Sequence, residues 1–154
     1  MFWYDSVSTD KTYDTLIDAI QFYENEVLIA LEEVKIKGKL EKNSSELPGI
    51  VSYRYNQLQD LEAILKFLNL KYDQEKYKEF KKNMTGNRQM STRDAEKLAE
   101  GSLQLYDIAL LINQVSLTRN KFLGITKGLE CKNWQISSLV KLKTAGFEDH
   151  EINY

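Results

Sequence analysis

Histidine, cysteine and proline each occur once in 154 residues, and each scarcity removes a class of explanation. With only His150 and Cys131, the chain lacks the ligands of a Cys/His zinc site and the base of a histidine-driven nucleophile relay. A lone cysteine forms no disulfide within the chain, which predicts a reducing compartment. No window approaches about 18 uninterrupted apolar residues, so no membrane partner is expected. The opening MFWYDSVSTD is aromatic and acidic where a secretory signal would be basic and then apolar, so the expectation is a soluble intracellular protein. A dominant charge is missing too. A net charge of −2 gives no overall attraction to nucleic acid or acidic lipid, so any polyanion site must come from local segregation.

That segregation exists. Residues 1–30 carry one basic and six acidic side chains, residues 31–60 five of each, residues 61–100 nine against seven, and residues 101–154 six against five. An apolar content of 42% suffices for the core of one domain. Few breakers and sustained three-and-four spacing predict an all-α fold: an N-terminal tail (1–12), a helical hairpin (13–90) and a long C-terminal helical segment (91–154) that mediates oligomerisation. The first helix is expected from about Lys11 to Lys37, with Tyr13, Leu16, Ile17, Ile20, Val27, Leu31 and Val34 inward and Gly38 as its stop. Pro48 is expected to open the second helix, capped by Ser44 or Ser45, which runs to about Lys82 with Val51, Tyr55, Leu58, Leu61, Leu65, Leu68 and Tyr72 inward. After the break at NMTGNRQ (83–89), Ser91 with Asp94 three residues later caps a short helix that Gly101 closes.

The last segment carries a heptad seam. Steps of three and four from Ile108 visit Leu111, Val115, Thr118, Phe122, Ile125, Leu129, Lys132, Ile136, Leu139 and Lys143. A second strip runs beside it at Leu103, Leu110, Leu117, Gly124 and Cys131, and one hairpin can cover only one of the two. The seam residues Ile108, Leu111, Val115, Phe122, Ile125, Leu129, Ile136 and Leu139 are therefore the expected oligomer interface, and the Gly124/Gly128 spacing would admit a close neighbour.

Catalytic chemistry finds no support. Neighbouring carboxylates such as Glu32 with Glu33 and Glu148 with Asp149 fall on expected solvent faces or near helix ends, where nothing raises a pKa for proton transfer. GITKG lacks the spacing of a phosphate loop, and no cofactor or metal ligand set is identified. What remains is a basic and aromatic stretch, KYDQEKYKEFKK (71–82) with its flanks. Cations that follow phosphates, interleaved with rings that stack on unpaired bases, suit single-stranded nucleic acid. The candidate contact residues are Arg54, Lys66, Lys71, Tyr72, Lys76, Tyr77, Lys78, Lys81, Lys82 and Arg88. The alternative is a solvated face, with Glu75 and Glu79 paired to Lys78 and Lys82. Six basic residues between Arg119 and Lys143, against Glu130 alone, form a possible second positive strip or a counterpart to the acidic first helix.

Three long blocks in order, KGKLEKNSSELPGIVSYRYNQLQDLEAIL (37–65), MSTRDAEKLAEG (90–101) and LINQVSLTRNKFLGITKGLECKNWQISSLVKLKTAGFED (111–149), resemble the UvsY recombination mediators of tailed phages, especially those of cyanophages. The resemblance covers about residues 30–149. It implies a non-enzymatic helical protein in the cytoplasm of the infected bacterial host that binds single-stranded DNA. It further implies a homo-oligomer of six or seven subunits. The implied partners are a RecA-like phage recombinase and the phage single-stranded-DNA-binding protein, in phage recombination, replication and repair. The family's basic and aromatic strand-binding region falls nearest Lys66, Lys71 and Tyr72. The reading from the residues alone keeps a rival, a structural helical oligomer, such as a scaffold component, without strand binding.

Overall fold

A computed structural model describes residues 3–86 and 90–146, and all regular structure among them is helical. Five helices follow in order: α1 (Tyr4–Thr9), α2 (Asp14–Val34), α3 (Leu40–Thr85), α4 (Thr92–Glu100) and α5 (Leu103–Thr144). The expected all-α class is thus observed. α2 and α3 run antiparallel, and α5 lies along both of them. One apolar core draws on Val7 of α1, Leu16 and Val27 of α2, Leu58, Leu61, Ile64 and Leu68 of α3, and Val115, Phe122 and Leu129 of α5.

Several boundaries differ from expectation, each for a local reason. The N-terminal tail contains α1, whose Val7 is buried and whose first amides are held by a carboxylate from α3: Trp3 N–H and Tyr4 N–H donate to Asp60 at 2.8 and 3.2 Å. α2 starts at Asp14 rather than Lys11 because Asp10 accepts from the amides of Thr12 and Thr15, and Tyr13 sits in the left-handed region. The helix ends at Val34, and Gly38, with φ +74°, turns the chain where a side chain would strain it. On α2 the buried line is Leu16, Ala19, Ile20, Tyr23, Val27 and Ala30, so Ile17 and Leu31, expected inward, face solvent. The alanines let α5 approach closely, and Tyr23 meets Phe122 edge to face at 5.7 Å.

Pro48 does not open a helix. It sits inside α3, two turns after the start at Leu40. An interior proline removes one hydrogen bond and costs about 3 kcal/mol relative to alanine. The extra turns are held by Leu47, which is buried, by Leu40 against the core, and by Asn43, whose side-chain amide donates to the carbonyls of Lys37 and Lys39. Tyr55, placed inward by the periodicity, is exposed. At the far end the short helix forms as read: the Ser91 hydroxyl accepts from Asp94 N–H at the start of α4, and Gly101 follows its last residue. Ala95 and Ala99 of α4 are buried there, and Asn83 of α3 donates to the carbonyl of Ala95.

The largest correction concerns the heptad seam of α5. Ile108, Val115, Phe122, Ile125, Leu129 and Ile136 are buried inside the protomer, Leu111 is half-buried, and only Leu139 reaches solvent. The seam faces the gap between α2 and α3, so the six buried side chains do not form an oligomer interface here. Gly128 is used in the same way: a Cβ there would come within 3.0 Å of Val34 on α2. The second strip keeps its exposure, with Leu103, Leu110 and Leu117 all at least half exposed and open space above Gly124.

Candidate nucleic-acid interface

Arg54 is the first candidate contact that the structure removes. The residue is 1% exposed, its side chain filling the space between α3 and α2. Nε and Nη2 grip Glu33 at 2.7 and 2.8 Å, while Nη1 reaches Glu26 at 2.5 Å and Gln57 at 2.8 Å. Burial alone would lower the Arg54 pKa, but the hydrogen bonds and charges of Glu33 and Glu26 outweigh it and raise it. This guanidinium is an internal clamp and offers nothing to a phosphate.

Neutralisation continues along the C-terminal half of α3. Lys76 reaches Glu100 at 2.8 Å and Glu96 at 3.6 Å, and so ties α3 to α4. Lys78 pairs with Glu75 and Lys82 with Glu79, the solvated-face arrangement weighed above. Such exposed pairs contribute roughly 0–1 kcal/mol each to stability. Their effect on the local field is larger, because each cancels a charge that a strand would need. Arg88 lies outside the described residues.

Among the described residues, Lys66, Lys71 and Lys81 have no carboxylate partner. Lys71 lies over the ring of Phe67 at 5.5 Å, a cation–π contact that leaves its charge unneutralised. Lys66, Tyr77 and Lys81 share one face of α3, spaced by eleven and four residues, so the two ammonium stems stand about 22 Å apart along the axis. Tyr77 is 65% exposed between them. Asp73 stands on this face as well and weakens its field. Beside it, Tyr77 and Phe80 line an open groove of about 300 Å³ between α3 and α4, with Asp73, Lys76, Thr92 and Glu96 as its polar edge. Tyr72 is half-buried on another side of the helix. The ten candidates therefore do not form one patch. Three cations and one exposed ring remain, on two faces of α3.

Two features of α5 escaped the sequence reading. Lys132, one of the seam positions and part of the possible positive strip, is 4% exposed, and its ammonium donates to the carbonyls of Glu33 and Lys35 at 2.7 and 3.0 Å. It closes the C-terminal end of α2, where carbonyls lack intrahelical partners. Burial lowers its pKa against the opposing pull of Glu33 and Glu46. The signal was present, since a lysine at a seam position must find buried acceptors. Trp134, by contrast, is 74% exposed on the outer face.

The third element of the site's surroundings is the Asp60 carboxylate, which accepts from Tyr23 Oη at 2.5 Å in addition to the two amides of α1. Burial, the hydrogen bond to Asp60 and its charge all push the Tyr23 hydroxyl well above the ordinary tyrosine range, so it stays a proton donor. Among the described residues, no three His, Cys, Asp or Glu side chains converge in a way that would hold a metal ion. No helix of the described residues is long and apolar enough to cross a membrane. No family model matches the chain, and no curated protein or solved structure is significantly similar to it.

Proposed function

We propose that this protein is a recombination mediator: it binds single-stranded DNA and helps a RecA-like phage recombinase load onto strands covered by the phage single-stranded-DNA-binding protein. The observation that carries the reading is the resemblance of three ordered blocks, at 37–65, 90–101 and 111–149, to the UvsY mediators. The exposed Tyr77 between Lys66 and Lys81 supports it, as does Lys71 with its charge unpaired. Each protomer brings few such cations, so useful affinity requires several copies acting on one strand. The surface for that assembly is the outer strip of α5 at Leu103, Leu110 and Leu117, which the fold leaves uncovered.

The test is a titration of labelled single strands and duplex at several salt concentrations, with sedimentation run in parallel. The expected result is preference for the single strand and affinity that falls as salt rises, with a slope of about −0.7 per phosphate neutralised. Substituting Lys66, Lys71 and Lys81 by Ala should weaken binding, whereas the same change at Lys76, Lys78 and Lys82 should do little. Equal weak affinity for both nucleic acids, or no salt dependence, overturns the reading. A structural helical oligomer without strand binding is the second reading, favoured by the internal pairing of Arg54, Lys76, Lys78 and Lys82. It predicts an assembly that ignores oligonucleotides.

A further inference from the structure

We infer that the outer face of the last third of α5, centred on Trp134 between Lys127 and Lys141, is a second binding surface for unpaired nucleic acid. The inference rests on the strand-binding reading above and assigns part of that binding to a face that none of the candidate residues occupies.

A tryptophan side chain is normally among the most covered in a fold, and burying it contributes more than burying any aliphatic residue. Here the indole stands 74% in water on a continuous helix, with nothing among the described residues closing over it. Lys127 and Lys141 lie seven residues before and after it. Two helical turns separate successive members, so cation, ring and cation fall on one line at intervals of about 10.5 Å. No described carboxylate pairs with Lys127 or Lys141, in contrast to Lys76, Lys78 and Lys82 of α3. The line therefore keeps its positive charge.

Charge decides which occupant fits. Toward the start of α5 the outer strip is leucine, but it passes through Gly124, Cys131 and Ser138 as it draws level with Trp134, and the exposed Leu139, Val140 and Leu142 lie off the line of the two lysines. A second copy laid along this line would also bring lysines toward lysines. A polyanion gains from both ammonium groups, and bases exposed only in a single strand can stack on the indole. Beside the line, a groove of about 490 Å³ between α3 and α5 adds the exposed ring of Tyr55 and the polar side chains of Ser52 and Asn133. Glu130, three residues after Lys127 and four before Trp134, borders this groove and weakens the field of the line on that side, leaving two unpaired cations against one acid.

The protein contains two tryptophans, so Trp3→Phe leaves Trp134 as the sole reporter. Titrating that variant with a dye-labelled oligothymidylate reads dye anisotropy for binding and indole emission for contact. The expected result is quenching of Trp134 that saturates with the anisotropy, and about a tenfold or greater loss of affinity in W134A and in K127A/K141A, with helicity by circular dichroism unchanged. Binding with unchanged emission, and variant affinities within about twofold of the parent, places the strand elsewhere: this inference fails and the mediator reading stands. Absence of any anisotropy change in the parent sinks both. If W134A changes the sedimentation state while the strand leaves Trp134 emission untouched, the face belongs to self-contact and the inference is wrong.

Discussion

Replacing Arg54 by Ala leaves Glu26 and Glu33 facing each other across a space from which their cation has gone. Their side chains are 14% and 25% exposed, so water reaches them only in part, while Arg54 itself is 2% exposed at the side chain. Removing one partner of a buried ion pair costs about 3–5 kcal/mol, and the partial exposure of both carboxylates argues for the lower end. The expected loss is about 3 kcal/mol, on the order of a hundredfold in the folding equilibrium. Urea unfolding followed by circular dichroism measures it as a fall in midpoint at unchanged slope. The double substitution E26Q/E33Q added to Arg54→Met should recover much of the loss, because no buried charge then lacks its partner. Affinity for an oligonucleotide, normalised to the folded fraction, should stay within about twofold of wild type. The reasoning is refuted if Arg54→Ala unfolds at the wild-type urea concentration while strand binding collapses. Arg54 would then be a contact residue after all.

Four further outcomes follow from the same geometry. Lys132→Met removes the donor to the carbonyls of Glu33 and Lys35; a loss of about 1–2 kcal/mol is expected, with faster amide exchange confined to the end of α2. Asp60→Ala leaves Trp3 N–H, Tyr4 N–H and the Tyr23 hydroxyl without their acceptor, so limited proteolysis should cut within α1 first, and stability should fall by about 2–3 kcal/mol. Gly124→Ala should stabilise the protomer by about 0.5–1 kcal/mol, whereas Gly128→Ala, which pushes on Val34, should show no such gain; equal midpoints for the two would contradict the packing. Burial pushes Glu26 up, yet hydrogen bonds from Gln57 and Arg54 and the Arg54 charge hold its pKa below the ordinary 4.5. The unfolded chain therefore takes up its proton first as pH falls. The stability Glu26 contributes is present above pH 4.5 and is lost as pH drops through the depressed folded value, so Glu26→Gln should make acid unfolding less steep.

Helix content, the α4 cap at Ser91 and the turn at Gly38 were legible because each depends on a few adjacent residues. Pro48 misled because its neighbours 40–47 are held by contacts with the core and with residues 37 and 39, which local propensity does not weigh. The seam of α5 was read correctly as apolar but assigned the wrong partner. Periodicity reports that a face is buried, not whether it meets the same chain or another copy. Arg54 and Lys132 show the same limit for charge. A lysine or arginine looks equally available in a sequence whether it will stand in solvent or be enclosed by carboxylates and carbonyls from α2. The pairing of Lys78 with Glu75 and Lys82 with Glu79 was within reach, since both lie at helical spacing.

α5 fills the space between α2 and α3, whose direct links are long polar side chains such as those of Arg54 and Tyr23. Trimming the chain before residue 103 would strip the middle wall from the bundle and leave two arms with little to hold them, so a shortened protein that fails to assemble would say nothing about assembly. Separating folding from subunit contact needs single polar replacements at Leu103, Leu110 or Leu117, where the change touches water on this protomer and a neighbour only if one is there.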